Sequence, residues 1–282
     1  MQNWQLVADS SCNLVPGHFD TGDIGFSTVP LKILVGDREF IDVPETNVND
    51  MLDAMRHHTG KSSSACPSPH DFAEQFNKAA HSIAVTISSG LSGTYNSAMQ
   101  AKHIVQDEHP EKKIHVVDSR STSGTMVLIL RQLKKLIEQG IPFEEVVQQI
   151  ENYNNSMKVI FSLANFDNLI KNGRMSKVAG LLATALNIRP IATNTDIGTI
   201  EVIEKPRGEK HALERMVALM SKYKDAAGLP VVITHCNNKS AADALCQLLK
   251  SVYGTKDSDI TVLECACLTA YYADEKGLIL CF

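Results

Sequence analysis

The sequence predicts a two-unit α/β protein, with a parallel sheet in the N-terminal unit and a mixed or antiparallel sheet in the C-terminal one. Three observations carry this. In the first half, short apolar runs alternate with longer runs of helical period, the pattern of a parallel sheet covered on both faces. In the second half a hairpin interrupts the strand–helix alternation, which brings antiparallel pairing and puts helices on one side. The first-half strands also end in loops dense in serine and glycine, where open α/β sheets hold ligands. The boundary falls near residue 155, dividing 1–155 from 156–282.

Taken in order, WQLVA (4–8) is a strand ending at Asp9-Ser10-Ser11. VPLKILV (29–35), Gly36-Asp37 and REFI (38–41) make a hairpin. Asn47 or Asn49 caps a helix running to about His58. The prolines and serines of KSSSACPSP (61–69) break regular structure. Helix 71–80, strand 82–87, helix 94–106, strand 113–117 and helix 125–139 follow. Pro142 suits the first turn of a further helix over 143–153. The second half opens with strand 157–163, after which NFDNLIKNGRMSK (165–177) reads as helix, glycine stop and polar turn. VAGLLATAL (178–186) is apolar almost all round, as a buried helix is. Strands 188–194 and 199–205 flank the turn Asp196-Ile197-Gly198. Helix 209–224, strand 229–235, helix 239–252, strand 259–265 and a terminal strand 278–282 complete the chain.

Composition narrows the function. The 282 residues carry 27 Lys+Arg against 32 Asp+Glu, a formal charge of −5, with no basic tract, which argues against a nucleic-acid surface. No run of 18 apolar residues and no signal peptide stand out, so a cytoplasmic location is expected. The 7 cysteines are odd in number and irregularly spaced, so reduced thiols are the default. Cys265 and Cys267, with His235, Cys236 and Cys281, lack the C-x₂-C pairing of common zinc sites, and no metal is expected.

The chemistry lies in the hydroxyl-rich loops: Asp9-Ser10-Ser11, Ser88 to Thr94, Asp118 to Thr125, and Ser62-Ser63-Ser64 with Ser68. Any one of them reads as a helix cap or turn. Four of one kind suggest a shared ligand. GLSGTY has no phosphate-loop lysine, and no cation lies within 88–98, so a multiply charged phosphate is disfavoured. Gly90-Leu91-Ser92-Gly93-Thr94 approaches the nucleophile elbow of serine hydrolases, with threonine where the last glycine belongs. That alternative makes Ser92 the nucleophile, His235 the base and Asp196 or Asp225 its orienter. The third possibility is a single carboxylate met by hydroxyls and helix-terminal N–H groups. A carboxylate beside an apolar unit points to a fatty acid, with 178–191 as a lining for its tail. A carrier, a hydrolase and a small-molecule sensor all remain open on the residues alone.

VADSSCNL (7–14), VPLKILVGDREFID (29–42), SACPSPHDF (64–72), SSGLSGTYNSA (88–98), VVDSRSTSGT (116–125), LIKNGRMSK (169–177) and IRPIATNTDIGTIEVIEKPRG (188–208) together resemble the bacterial DegV family over nearly the whole chain. The resemblance implies a fatty-acid-binding subunit of a bacterial fatty acid kinase, without chemistry of its own and without a cofactor. Such a subunit holds a long-chain fatty acid in an interior tunnel and presents its carboxylate to a separate kinase for acyl-phosphate formation, with transient membrane contact. By position, Ser64 and Ser92 look like the family's carboxylate contacts, and Arg174 and Arg207 like its mouth or partner-facing arginines. The family's late histidine is replaced at the position that looks like Tyr271. A tyrosine donates one hydrogen bond there but carries no positive charge at neutral pH.

Overall fold

The computed structural model describes residues 3–15, 19, 24–176 and 187–282. Its first half contains β1 (Trp4–Asp9), β2 (Ile24–Val29), β3 (Lys32–Val35), β4 (Arg38–Ile41), α1 (Val48–His57), β5 (Ser62–Ala65), α2 (Pro69–Phe76), β6 (His81–Thr86), α3 (Thr94–Glu108), β7 (Lys113–Asp118), α4 (Gly124–Glu138) and α5 (Phe143–Asn155). The second half contains β8 (Val159–Ser162), α6 (Asp167–Lys171), β9 (Ile191–Asn194), β10 (Ile200–Glu204), α7 (Glu209–Met220), β11 (Val231–His235), α8 (Lys239–Tyr253), β12 (Ile260–Glu264), α9 (Cys267–Ala273) and β13 (Leu278–Cys281). The apolar helix expected over 178–186 lies outside the described residues.

The strands form three sheets. An all-parallel sheet runs β2-β1-β6-β7. A six-stranded mixed sheet runs β10-β9-β8-β13-β11-β12, with β11 and β12 its one parallel pair among the described residues. A small antiparallel sheet, β4-β3-β5, stands apart. The α/β class and the parallel-then-mixed order agree with the sequence.

Side-chain alternation shows why the layers stack as they do. On the parallel sheet, Val7, Ala84 and Val116 face α2 and α3 around Phe72, Phe76 and Ala101. Their neighbours Leu6, Ala8, Ile83 and Val117 face the opposite way, into a core shared with α4 and α5. The mixed sheet divides likewise. Ile160, Ile233 and Leu280 pack on α7 and α8, whereas Phe161, Val232 and Ile279 join the core of the first half. Helix α4 therefore lies between the two sheets. Its first residue is glycine because a Cβ there would come within 2.7 Å of Val232.

Three elements depart from the sequence reading. Residues 24–29 form a separate strand parallel to β1, and Pro30, which has no N–H to give, ends it before the hairpin starts. The serine run at 62–65 is strand β5, with Ser64 opposite Ile33; low intrinsic strand preference is overridden by pairing. Residues 267–273 form a helix, α9, whose start is supported by the Asn13 side chain accepting from the Ala266 N–H at 2.8 Å.

Candidate functional site

Where the small sheet, α9 and the serine loops meet one face of the mixed sheet, a cavity encloses about 840 Å³ of empty space, open solvent at its mouth included. Its long wall is apolar. Val159, Phe161 and Leu163 line it from β8 and just beyond, at the two-residue spacing that puts strand side chains on one face. Ile279, paired with Phe161 across the sheet, and Ile200 extend the wall, and Ile87 and Leu31 close it from the first half. The polar lining includes Ser64, Ser92, Thr269, Tyr272 and Arg174, with Ser121 and Thr122 from the loop after β7.

Strand β5 and helix α9 are joined by two hydroxyl pairs. Ser62 and Ser64 lie two residues apart, on one face of the strand. Ser62 Oγ lies 2.8 Å from Tyr271 Oη, and Ser64 Oγ lies 2.8 Å from Tyr272 Oη. The two tyrosines have different fates. Tyr271 is fully buried, and its hydroxyl also accepts from Asn172 Nδ2 at 2.9 Å. Tyr272 is half-buried and faces the cavity. Burial pushes the Tyr272 pKa above its ordinary value, so the hydroxyl remains a protonated donor.

The loop after β6 sorts its serines by role. Ser88 is fully buried and bonded within the protein. Its Oγ donates to Gly198 O at 2.7 Å, and its N–H donates to Ser121 O at 2.8 Å. Ser89 is held by Asp118. Gly198 sits at φ +75° in the β9–β10 turn, and a Cβ there would fall 2.1 Å from Ser88 Oγ, so only glycine lets that turn close on the loop. Ser92, anchored by its N–H to Ser88 O at 3.1 Å, lies on the cavity wall with its Oγ 2.9 Å from Thr94 Oγ1.

The Asp9 loop is structural. The Asp9 carboxylate accepts from the N–H groups of Ser11 at 3.0 Å and Ile87 at 2.6 Å, and from the Ser11 hydroxyl. Complete burial pushes its pKa up to about 6 despite those bonds.

Of the residues expected at the site, Ser64, Ser92 and Arg174 line one cavity. Arg174 Nε donates to Leu91 O at 3.0 Å and its Nη1 donates to Asn172 O, so the guanidinium steadies the backbone beside Ser92. Tyr271 does not line the cavity. Its hydroxyl bonds Ser62 and Asn172, and it is the neighbouring Tyr272 that lines the cavity. Arg207 is exposed and outside the lining, its backbone bridged to Ile188. Thr269 and Tyr272 went unread in the sequence. Their signal is helical: Leu268, Thr269, Tyr272 and Ala273 share the face of α9 that lines the cavity.

A hydrolase triad is not assembled. Ser92 has no histidine partner among the described residues, and its hydroxyl is paired with Thr94. His235 is buried off the cavity with Nδ1 facing the Asn238 N–H at 3.4 Å, and burial lowers its pKa. Asp196 and Asp225 are exposed. Among the described residues no three His, Cys, Asp or Glu side chains are placed to hold a metal ion. Cys12, Cys236, Cys265, Cys267 and Cys281 are buried free thiols. No described helix is long and apolar enough to cross a membrane.

A family model described as "Uncharacterised protein, DegV family" matches residues 3–279. A DegV domain-containing protein of Streptococcus pneumoniae is 37% identical over 277 residues, covering 98% of both chains. The chain is similar to the crystal structure of the fatty acid kinase (Fak) B3 protein of S. pneumoniae loaded with linoleic acid, at 36% identity, TM-score 0.94 and 99% coverage of each chain. It is also similar to that of a DegV family protein from Eubacterium eligens loaded with heptadecanoic acid, at 38% identity and TM-score 0.92, covering 99% of this chain and 98% of that one.

Proposed function

The chain belongs to the DegV family, and from that premise we propose that it binds a long-chain fatty acid, carboxylate among Ser64, Ser92 and Tyr272 and tail along the β8–β13 wall. One observation carries the reading: an apolar cavity whose polar end is built largely from hydroxyls, with Arg174 committed to backbone carbonyls and Arg120 donating to the Asn155 side chain. Hydroxyls suit a single carboxylate through charge-assisted bonds. They suit a multiply charged phosphate poorly. Relatives of closely similar fold hold heptadecanoic and linoleic acids, which supports the assignment.

In this reading the protein is a carrier that makes and breaks no bonds. It acts in the cytoplasm and hands its ligand's carboxylate to a separate kinase subunit, with brief membrane contact for loading. The unit 1–155 supplies the head-group loops and 156–282 most of the tail wall. Arg207, exposed beside α7, is a partner-facing residue. Arg174, at the mouth, serves the Ser92 loop.

Native mass spectrometry of the purified protein tests the binding. A co-purifying fatty-acid mass is expected, together with displacement of a fluorescent fatty acid by unlabelled acid. A protein that arrives empty and also fails to take up added fatty acid refutes the reading. Stoichiometric labelling of Ser92 by a fluorophosphonate would replace it with a hydrolase.

A further inference from the structure

We infer that Thr269 is a head-group donor of this site, a role that rests on the fatty-acid reading above. Thr269 lines the cavity from α9 and is 6% exposed, yet its hydroxyl has no hydrogen-bond partner among the described residues. A buried hydroxyl without a partner is costly, and helical threonines ordinarily avoid the cost by bonding back to the preceding turn. This one does not.

The donor count explains what it is for. Ser64 and Tyr272 hold two hydroxyl protons between them, and one is spent on the 2.8 Å bond joining them. Ser92 and Thr94 likewise spend one on their 2.9 Å bond. Each pair therefore leaves one proton for a ligand. A carboxylate offers about four acceptor positions on two oxygens. Two outward protons leave at least two of those positions open at this end of the cavity.

Thr269 supplies the third. It precedes Tyr272 by three residues on α9, so the two lie on one helix face about 5–6 Å apart at Cβ. Helical side chains lean toward the N-terminus, which carries the Tyr272 hydroxyl back over the turn that holds Thr269. Ser64 is fixed there by its bond to Tyr272. The three hydroxyls thus converge where β5 meets α9, with Ser92 supplied from the opposite loop.

The test compares Thr269→Val, which removes the hydroxyl and keeps the shape, with Thr269→Ser, which keeps the hydroxyl. Affinity for a C14 fatty acid and for its methyl ester is measured by calorimetry, and the ligand-free proteins are melted. Thr269→Val should weaken the acid by about tenfold or more and the ester by a few-fold at most, because only the acid offers a charged acceptor. Thr269→Ser should bind the acid within a few-fold of wild type, while ligand-free Thr269→Val melts at or above wild type. Unchanged acid affinity in Thr269→Val overturns the inference. So does an equal loss of acid and ester, or a lowered melting temperature, which would show the hydroxyl serving the fold. Wild-type protein that binds neither ligand fails the fatty-acid reading itself, and the role of Thr269 with it.

Discussion

Tyr271 and Tyr272 stand next to each other with their rings edge to face, centroids 4.8 Å apart, and a step of about 100° along α9 gives them separate work. Tyr271→Phe strips the core of a hydroxyl that serves Ser62 and Asn172, and should cost about 1–3 kcal/mol of stability with little change in ligand affinity. Tyr272→Phe should do the reverse, weakening fatty-acid binding roughly threefold to tenfold at near-normal stability. Thermal melts and displacement titrations on both variants check this, and a binding loss confined to Tyr271→Phe would return the head group to that residue. The motif made a tyrosine legible at this point but not which one, since a segment comparison carries no helical phase. Ser64 and Ser92 were named through the family resemblance, and the structure puts both on the cavity wall, Ser64 from strand β5 and Ser92 from the loop after β6. Thr269 was not legible, because a lone threonine in an apolar run reads as packing.

A buried carboxylate beside the start of helix α9 gives the protein a pH signature. Asp42, 4% exposed, follows β4 and forms no hydrogen bond among the described residues through either carboxylate oxygen. Burial pushes its pKa up to about 6; Ser10 and the N–H groups of Leu268 and Cys267 face it and offset this in part, and the Asp9 charge adds to it. The thiols of Cys12, Cys265 and Cys267 also face this carboxylate, all pushed up by burial, Cys267 to about 12, so they stay neutral. The sign follows from linkage. A folded-state pKa above the unfolded value of 3.8 means that the folded protein holds the proton more tightly. The stability linked to it is complete below about pH 4 and is lost as pH rises through 6. Asp42→Asn should match wild type near pH 4 and exceed it by roughly 1–3 kcal/mol at pH 7.5, the gap opening between. Urea titrations across that range decide it, and a variant less stable at pH 7.5 would mean that the charge is needed to hold α9. The sequence showed neither α9 nor β5, because seven residues without a side-chain cap and a run of serines give no local signal; both depend on contacts made far along the chain.

At the scale of the molecule, the β9–β10 turn closes on the Ser88 loop and brings Gly198, Thr199 and Ile200 to the cavity lined also by Ile87 and Ser92. Binding energy should come mainly from the tail. About 14 methylenes at about 0.8 kcal/mol each give on the order of 11 kcal/mol for a fully buried C16 chain, an upper bound that ordering the chain reduces. Affinity should therefore climb steeply from C8, peak, and fall once the space is full. A flat titration from C8 to C18 would deny an acyl tunnel. Layer order and sheet type were legible here because strand and helix periods differ and each half keeps its own. The tail wall was legible only in part. Of the expected lining 178–191, Ile191 packs on the far face of the sheet, and Val159, Phe161 and Leu163 form the wall instead. Residues 178–186 of that stretch lie outside the described residues.

The joined hydroxyls of Ser64 and Tyr272, and of Ser92 and Thr94, have no fixed polarity. An O–H rotates, so each pair can turn from offering a proton to receiving one. An imidazolium or guanidinium has no such freedom, and losing its anion strands a charge in a dry place. The hydroxyl end of the site stays neutral through the whole exchange, the Arg174 and Arg120 guanidiniums of the lining being held by protein oxygens. It can grip a carboxylate as an anion and hold the same molecule as an uncharged acid, the form that dissolves in a bilayer, with no counter-ion to carry in or leave behind.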